Sequence, residues 1–122
     1  MFFGVQGMPD TGLNIVAKRL REARERKALS QKALGIAAGI DEFSASPRIN
    51  QYERGKHIPD LLTMKKLASV LGVPVPYFFA EDEQLAELLI LLHSLARPDW
   101  ERVKKYIARK VAANSKNSIP QK

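Results

Sequence analysis

The sequence predicts an all-α protein, and three observations support that prediction. Apolar residues recur at helical intervals along most of the chain, for example at Leu61, Met64, Leu67, Ala68 and Leu71. Residues that cap helices, such as Ser30 and Asp60, precede these stripes. No segment alternates apolar and polar residues over a useful strand length. We therefore expect a five-helix domain followed by a C-terminal helical extension.

The first two helices are predicted at residues 13–27 and 31–38. The first has its apolar stripe at Ile15 or Val16, Leu20 and Ala23. Ser30 is a suitable N-cap for the second helix, because its hydroxyl can accept a hydrogen bond from a free N–H in the first turn. Gly39 follows that helix, where a left-handed residue commonly ends one.

A third helix is predicted at residues 47–54. Proline disfavours helical geometry at the residue before it and fits the first helical position, so Ser46-Pro47 indicates a helix start. The segment before it is rich in turn formers, and we expect its Phe43 to pack into the core. Gly55 then ends the helix.

A fourth helix is predicted between Asp60 and Gly72, which suit its two caps. The apolar and aromatic segment 73–79 follows and is expected to close the core. It contributes the fifth helical element as one short turn from Pro76.

Two further helices, predicted at residues 82–95 and 98–112, form the C-terminal extension. The first of them has a broad apolar stripe at Leu85, Leu88, Leu89, Leu92 and Leu95. The two helices either pack as a hairpin on their own domain or meet a second chain. We favour the second arrangement, which predicts a homodimer.

The net charge of +7 favours an anionic partner, with nucleic acid the first candidate and a membrane surface the second. Residues 13–72 hold 12 Lys and Arg against 6 Asp and Glu, whereas residues 73–122 hold 8 against 6. The basic character therefore belongs to the first domain.

Other classes of protein are disfavoured. The chain has no cysteine, which excludes disulfides and cysteine-based metal sites. Its most apolar stretch, 85–96, is interrupted by Glu87 and His93 and falls short of the about 20 residues that span a membrane. The N-terminus lacks the basic and long apolar regions of a signal peptide. We expect a cytoplasmic protein with no membrane partner.

Catalysis is also disfavoured. The only histidines are His57 and His93, too far apart in the sequence for a two-histidine zinc motif. No glycine-rich phosphate loop is present. The acidic run at residues 81–83 stands at a predicted helix start, where the helix dipole explains it. We therefore expect no enzyme, no metal and no cofactor.

The segment SPRINQYERG, residues 46–55, concentrates hydrogen-bonding side chains on a short helix. Ile49 and Tyr52 are three residues apart and define a buried face, which leaves Arg48 and Gln51 outside. Arginine reads guanine edges in the major groove of B-DNA, and Asn or Gln reads adenine edges. The segment is therefore suited to lie in that groove.

Two longer segments, LREARERKALSQKALGIAAGI and INQYERGKHIPDLLTMKKLASVLGVPVPYFF, resemble the helix-turn-helix domain of Cro and the lambda-type phage repressors, the XRE family. The resemblance covers residues 13–79. Its most specific pieces are the motifs Leu29-Ser30-Gln31, Tyr52-Glu53-Arg54-Gly55 with Pro59, and Leu67-Ala68 through Leu71-Gly72-Val73. It implies a sequence-specific regulator of transcription, a repressor, that binds a double-stranded DNA operator.

The resemblance and the residue pattern together predict a division of the chain, in which the part after residue 79 lies outside the resemblance. Residues 1–12 are expected to be flexible, and residues 13–79 to form the helix-turn-helix DNA-binding domain. Residues 80–113 are then a helical hairpin and candidate dimerisation element, and residues 114–122 a flexible tail.

The resemblance, the exposed face of the third helix and the extra residues before it together predict roles for individual residues. Base edges are expected to be read by Ser46, Arg48, Asn50 and Gln51. Phosphates are expected to be held by Gln31, Lys32, Ser44, Arg54 and Lys56. Arg24 and Glu53 match the ion pair that ties the first helix to the third in this family. Removing one partner of a partly buried pair would leave the other charge stranded.

The sequence departs from the family pattern at two places. Glu53 lies 14 residues after Gly39, where the family's usual spacing is about ten, so we expect about four extra residues in the turn before the third helix. Gly35 stands where the family usually has alanine, which costs helix propensity but allows close packing.

Two alternative functions remain open from the sequence. The chain is an antitoxin whose tail, residues 81–122, sequesters a toxin, or it is a protein-interaction module that has lost DNA recognition.

Overall fold

The computed structural model describes residues 12–117, and their side chains from residue 15 to residue 115. This part of the chain is all-α, as the sequence predicts. Its elements are α1 (Gly12–Arg26), α2 (Gln31–Ala37), α3 (Glu42–Glu53), α4 (Leu61–Leu71), a 3₁₀ turn (Val75–Phe79), α5 (Glu83–Ser94) and α6 (Arg97–Asn117). The predicted flexible N-terminal segment lies outside the described residues, apart from Gly12.

The first four helices and the 3₁₀ turn enclose one core. Each helix contributes a fully buried side chain, namely Leu20, Leu34, Ile49 and Leu67. Tyr77 and Phe78 of the 3₁₀ turn are also buried and close the core, as predicted for this aromatic segment. This arrangement fixes α2 and α3 against each other at one surface of the domain.

The predicted start of the third helix is wrong. Helix α3 begins at Glu42, five residues before Pro47, so the proline lies inside the helix. The true N-cap is Asp41, whose Oδ2 accepts a hydrogen bond of 3.0 Å from the Phe43 N–H. Proline removes one backbone hydrogen bond at its position. Asp41 and the packing of α3 compensate for that loss.

The residues that lengthen this region are therefore in α3, and the turn between α2 and α3 stays short. Phe43 lies in the first turn of the lengthened helix and is 87% exposed, so its predicted burial is also wrong. The buried face of α3 consists of Ala45, Ile49 and Tyr52. Phe43 is on the opposite face, because it precedes Ala45 by two residues on a helix with about 3.6 residues per turn.

Gly35 allows α2 and α3 to approach closely, as the sequence suggested. A Cβ atom at Gly35 would lie 2.6 Å from the Ala45 Cβ and 2.9 Å from the Ala45 Cα. Both side chains sit in the contact between the two helices and are buried. The pair of small residues thus sets the spacing between α2 and the lengthened α3.

A buried arginine attaches α1 to the chain before α5. Arg19 is wholly buried, and its Nε donates to the Ala80 carbonyl oxygen over 2.7 Å. Its Nη1 donates to Glu22 and Glu83 carboxylates at 2.9 and 3.0 Å. Burial by itself lowers the pKa of Arg19, but the two hydrogen bonds and the negative charges of Glu83 and Glu22 together outweigh it and raise the pKa above its ordinary value. The start of α5 is therefore fixed to the domain.

Helices α5 and α6 bury few of their apolar side chains. Ala86 is the one residue of α5 that is buried, although Leu89 and Ile90 pack partly against the core. Helix α6 continues to Asn117, four residues beyond the predicted end of the hairpin. No helix within residues 12–117 combines the length and the apolar character needed to cross a membrane.

Candidate nucleic-acid interface

Helix α3 presents the predicted base-reading residues on its outer surface. Arg48 and Gln51 are exposed, and Ser46 and Asn50 are half-buried beside α2. Pro47 is also exposed between them. Because the opposite face of α3 is buried in the core, these side chains face away from the domain. This outer surface of α3, called the ridge below, carries hydrogen-bond donors and acceptors.

The expected ion pair between α1 and α3 is present. Arg24 Nε donates to Glu53 Oε2 over 2.5 Å and Arg24 Nη2 donates to Glu53 Oε1 over 3.0 Å, so the pair is bidentate. The Glu53 side chain is 4% exposed. The hydrogen bonds to Glu53 raise the pKa of Arg24 above its ordinary value, against the effect of burial. Bidentate geometry restricts the orientation of both side chains, so the pair holds the end of α3 against α1.

Arg24 also fixes the start of α2. Its Nη1 donates to the Leu29 carbonyl oxygen over 2.8 Å, directly before the N-cap Ser30. The Ser30 hydroxyl accepts a hydrogen bond of 2.9 Å from the Ala33 N–H, as expected for this N-cap. One guanidinium group therefore holds α1, the start of α2 and the end of α3 in a fixed relation.

Gln31 joins α2 to α3 through its side chain. Its Nε2 donates to Glu53 Oε1 at 3.1 Å and to Asn50 Oδ1 at 3.3 Å. A side-chain amide has two N–H donors, and both are used within the protein. The side-chain donors of Gln31 are therefore engaged within the protein, whereas its main-chain N–H lies in the first turn of α2.

Asn50 is positioned by the same hydrogen bond. Because its Oδ1 accepts from Gln31, the donors on its Nδ2 are the part left to face outward. The bidentate contact that an asparagine makes with adenine uses both groups. This hydrogen bond limits how the Asn50 amide can be oriented, whereas the side chains of Arg48 and Gln51 have no such constraint within the part of the chain that the structure describes.

Basic side chains flank the two helices. Lys32 is exposed on α2, and its Nζ lies 3.6 Å from Glu42 Oε2. Arg54 and Lys56 are exposed at the far end of α3. Ser44 is half-buried in the first turn of α3 rather than in a loop. Exposed cations therefore lie near both ends of α3.

Sequence reasoning missed two features of this surface. The first is the bridge from Gln31 to α3, for which the sequence gives no spacing signal because the partners are on different helices. The second is the early start of α3. Asp41 followed by Glu42 is a good helix-start signal, but Ser46-Pro47 is a competing signal for a later start.

The chain is similar to known regulators of transcription. The helix-turn-helix family profile matches residues 20–78. The cryptic phage CTXphi transcriptional repressor RstR of Vibrio cholerae is 30% identical over 92 residues, which cover 70% of this chain and 78% of RstR. The HTH-type transcriptional regulator PuuR of Escherichia coli is 31% identical over 86 residues, which cover 70% of this chain and 44% of PuuR.

A solved structure extends the comparison to most of the fold. The transcriptional regulator BswR superimposes with a TM-score of 0.74 at 43% identity, over 80% of this chain and 96% of BswR. The chain spans less than half of PuuR but most of RstR and BswR. These relatives are regulators of transcription, and none of their names describes an enzyme. The chain belongs to the XRE-type helix-turn-helix family of DNA-binding transcriptional regulators.

Proposed function

We propose that this protein is a cytoplasmic, sequence-specific transcriptional repressor that binds its operator as a homodimer with α3 in the major groove. The observation that carries the proposal is the outward ridge of α3, held by the bidentate Arg24–Glu53 pair at its far end. A ridge fixed in this way keeps its side chains in register with base edges, and the loss of freedom on binding is small.

The proposal separates base reading from phosphate binding. Arg48 and Gln51 read bases, because they are exposed and unrestricted on the ridge. Ser46 and the Nδ2 donors of Asn50 make secondary base contacts. Phosphates are bound by Lys32, Ser44, Arg54, Lys56 and the main-chain N–H of Gln31, which lies at a helix N-terminus that favours anions.

The dimer is proposed to form through α5 and α6. Between them lies an apolar groove of about 370 Å³, lined by Leu85, Leu88, Leu89, Leu91, Leu92, Leu95, Val103 and Ile107. Leu88 and Leu91 are 61% and 66% exposed. Contiguous apolar surface of this kind usually marks an interaction site. A second copy would bury it and bring a second α3 to the same operator.

Two substitutions test the base and phosphate assignments on an operator selected from a random duplex library. Arg48→Ala should relax the preference at one position of each half-site, with a loss of about 1–3 kcal/mol on the preferred base. Lys56→Ala should weaken binding to all duplexes alike and reduce the salt slope by about one phosphate contact. Equal behaviour of both variants and the wild type on every duplex would refute these assignments.

The repressor role has its own test. A reporter gene placed behind the selected operator should be repressed by the wild-type protein and expressed in the presence of Arg48→Ala. Increased reporter expression with the wild-type protein would make it an activator.

The apolar groove also supports a second candidate, an antitoxin whose α5 and α6 sequester a toxin. Co-purification of a small protein encoded beside this gene, lost in Leu88→Ala and kept in Leu62→Ala, would support it. Leu62 is the suitable control, because it is 62% exposed on α4. A pure homodimer from the native source would exclude it.

A further inference from the structure

Phe43 is the most exposed of the large hydrophobic side chains reported for the described residues, with 87% of its surface accessible. Full burial of a phenylalanine stabilises a protein by about 1.5–3 kcal/mol. Phe43 does not provide this stabilisation in the free protein. Its backbone is nevertheless fixed, because its N–H donates to the Asp41 cap. An aromatic side chain that is mostly exposed on a fixed backbone is suited to contact another molecule.

The position of Phe43 places it on the proposed reading surface. Phe43, Pro47 and Gln51 are spaced by four residues on α3, so they share one face of the helix. Gln51 lies about 12 Å further along the axis, from a rise of about 1.5 Å per residue. The ridge therefore extends from Gln51 to the N-terminal end of α3 and terminates in an aromatic ring.

The N-terminal end of a recognition helix is the part that contacts base edges in the groove. Helix α3 starts at Glu42, so Phe43 occupies that end. The apolar group that base edges offer in the major groove is the thymine C5-methyl, and phenylalanine is one of the side chains that contact it. A ring that donates and accepts no ordinary hydrogen bond has no comparable partner on guanine or cytosine edges.

Phe43 lies among residues that are proposed to bind phosphates. Ser44 follows it in the first turn of α3, and Lys32 lies 3.6 Å from Glu42, the residue before it. The ring itself carries no charge and has no hydrogen-bond donor, so a phosphate is a poor partner for it. An apolar group on a base edge is the better partner.

We infer that Phe43 is a specificity-determining residue that reads the methyl group of a thymine at one position of each half-site. The inference rests on the proposed operator binding and adds a base and a residue that the family resemblance does not assign. The rival occupant is a protein surface, since an exposed phenylalanine can also mark a protein contact, and the test below separates the two.

The first arm of the test uses the wild-type protein and the selected operator. Each thymine is replaced in turn by deoxyuridine, which pairs identically but lacks the methyl group. One position in each half-site should weaken binding about fourfold, the effect of removing one buried methyl group. If no deoxyuridine substitution weakens binding, the inference is wrong, and this arm does not depend on the folding of any variant.

The second arm assigns the effect to Phe43. Phe43→Ala should bind the thymine and deoxyuridine operators equally. When the library selection is repeated with this variant, the preference for that thymine should be lost and the preferences at the other positions kept. Phe43→Leu should retain part of the discrimination. The control is Phe79→Ala, which removes a 51% exposed phenylalanine of the 3₁₀ turn and should behave as the wild type.

The outcomes distinguish this inference from the proposed function. If the library yields an enriched operator but no deoxyuridine substitution weakens binding, the role of Phe43 is wrong and operator binding stands. A random library with no enriched sequence contradicts operator binding, and the role of Phe43 with it. If Phe43→Ala changes the oligomeric state and keeps the methyl effect, Phe43 contacts protein and the inference is wrong.

Discussion

Two regions of this molecule treat their apolar side chains in opposite ways. Helices α1 to α4 and the 3₁₀ turn bury them in a common core, in which Leu67 is wholly inaccessible. Helices α5 and α6 leave Leu88 and Leu91 more than half exposed. The first region therefore contains a packed core. The second has an exposed apolar surface, whose burial against another molecule would be favourable.

The junction between the two regions explains how this difference is maintained. Arg19 fixes the chain at Ala80 and at Glu83, directly before and within the first turn of α5. Leu89 and Ile90 pack partly against the core, so the opposite face of α5 is held away from it. The exposed leucines are thus presented by a rigid attachment.

The largest effect is expected in the first region. Leu67→Ala removes a fully buried side chain and should lower the free energy of unfolding by about 2–5 kcal/mol. Urea unfolding followed by circular dichroism measures this loss. The matched control is Leu62→Ala on the same helix, where the side chain is 62% exposed and the expected change is below about 0.5 kcal/mol.

The next effect concerns the ion pair that orients α3. Arg24→Met leaves the Glu53 carboxylate, 4% exposed, without its partner and should destabilise the domain by about 2–4 kcal/mol. Affinity for the operator should also fall, because Gln31 and α3 lose their common support. If the variant keeps wild-type operator affinity at a temperature where it is folded, the pair does not orient α3.

A smaller effect is expected at the contact between α2 and α3. Gly35→Ala places a Cβ atom 2.6 Å from the Ala45 Cβ, and overpacking costs about 1–3 kcal/mol, partly offset by about 1 kcal/mol of helix propensity. Thermal unfolding should show a net loss. In the double variant Gly35→Ala with Ala45→Gly, part of that loss should return, and an additive result would argue against the contact.

The second region should respond differently to the same kind of change. Leu88→Ala should alter the unfolding of the monomer by less than about 0.5 kcal/mol but should raise the dimer dissociation constant. Sedimentation equilibrium of Leu88→Ala and Leu62→Ala distinguishes the two surfaces, since both leucines are about equally exposed. If the two variants have the same dimer dissociation constant, α5 is not part of the dimer interface.

The smallest effect concerns the junction and its dependence on pH. Hydrogen bonds from Lys18 and Arg19 hold the pKa of Glu83 below its ordinary value of 4.5. A depressed pKa contributes stability that is complete above that ordinary value and disappears as the pH falls through the lower, folded value. Glu83→Gln should therefore be less stable than the wild type at pH 7 and equal to it in strong acid. If the difference in stability between the variant and the wild type is the same at every pH, it does not come from the ionised Glu83 carboxylate.

The sequence was informative about the first region because helix caps and apolar stripes are local signals. Ser30 and Asp60 are N-caps as predicted, and their side chains accept hydrogen bonds from Ala33 and Thr63. The start of α3 could not be read in the same way, because two local signals conflict there. Packing of Ala45 on Gly35 favours the earlier start, and that contact is tertiary.

In the candidate nucleic-acid interface, the residues within the family motifs could be predicted from the sequence. Arg24 and Glu53 were identified by resemblance, and their geometry agrees with it. The exposure of Phe43 was not, because a phenylalanine in an extended turn is ordinarily a core residue. Arg19 was also missed, although its position four residues before Ala23 places it on the buried stripe of α1.

The central claim is that two copies, joined through α5 and α6, place two α3 helices on one operator. It is tested most directly by inserting about half a helical turn of DNA, about 5 base pairs, between the two selected half-sites. Fluorescence anisotropy should then show that affinity falls by about a hundredfold, because the second half-site faces away from the dimer. Unchanged affinity for the interrupted operator would contradict the claim.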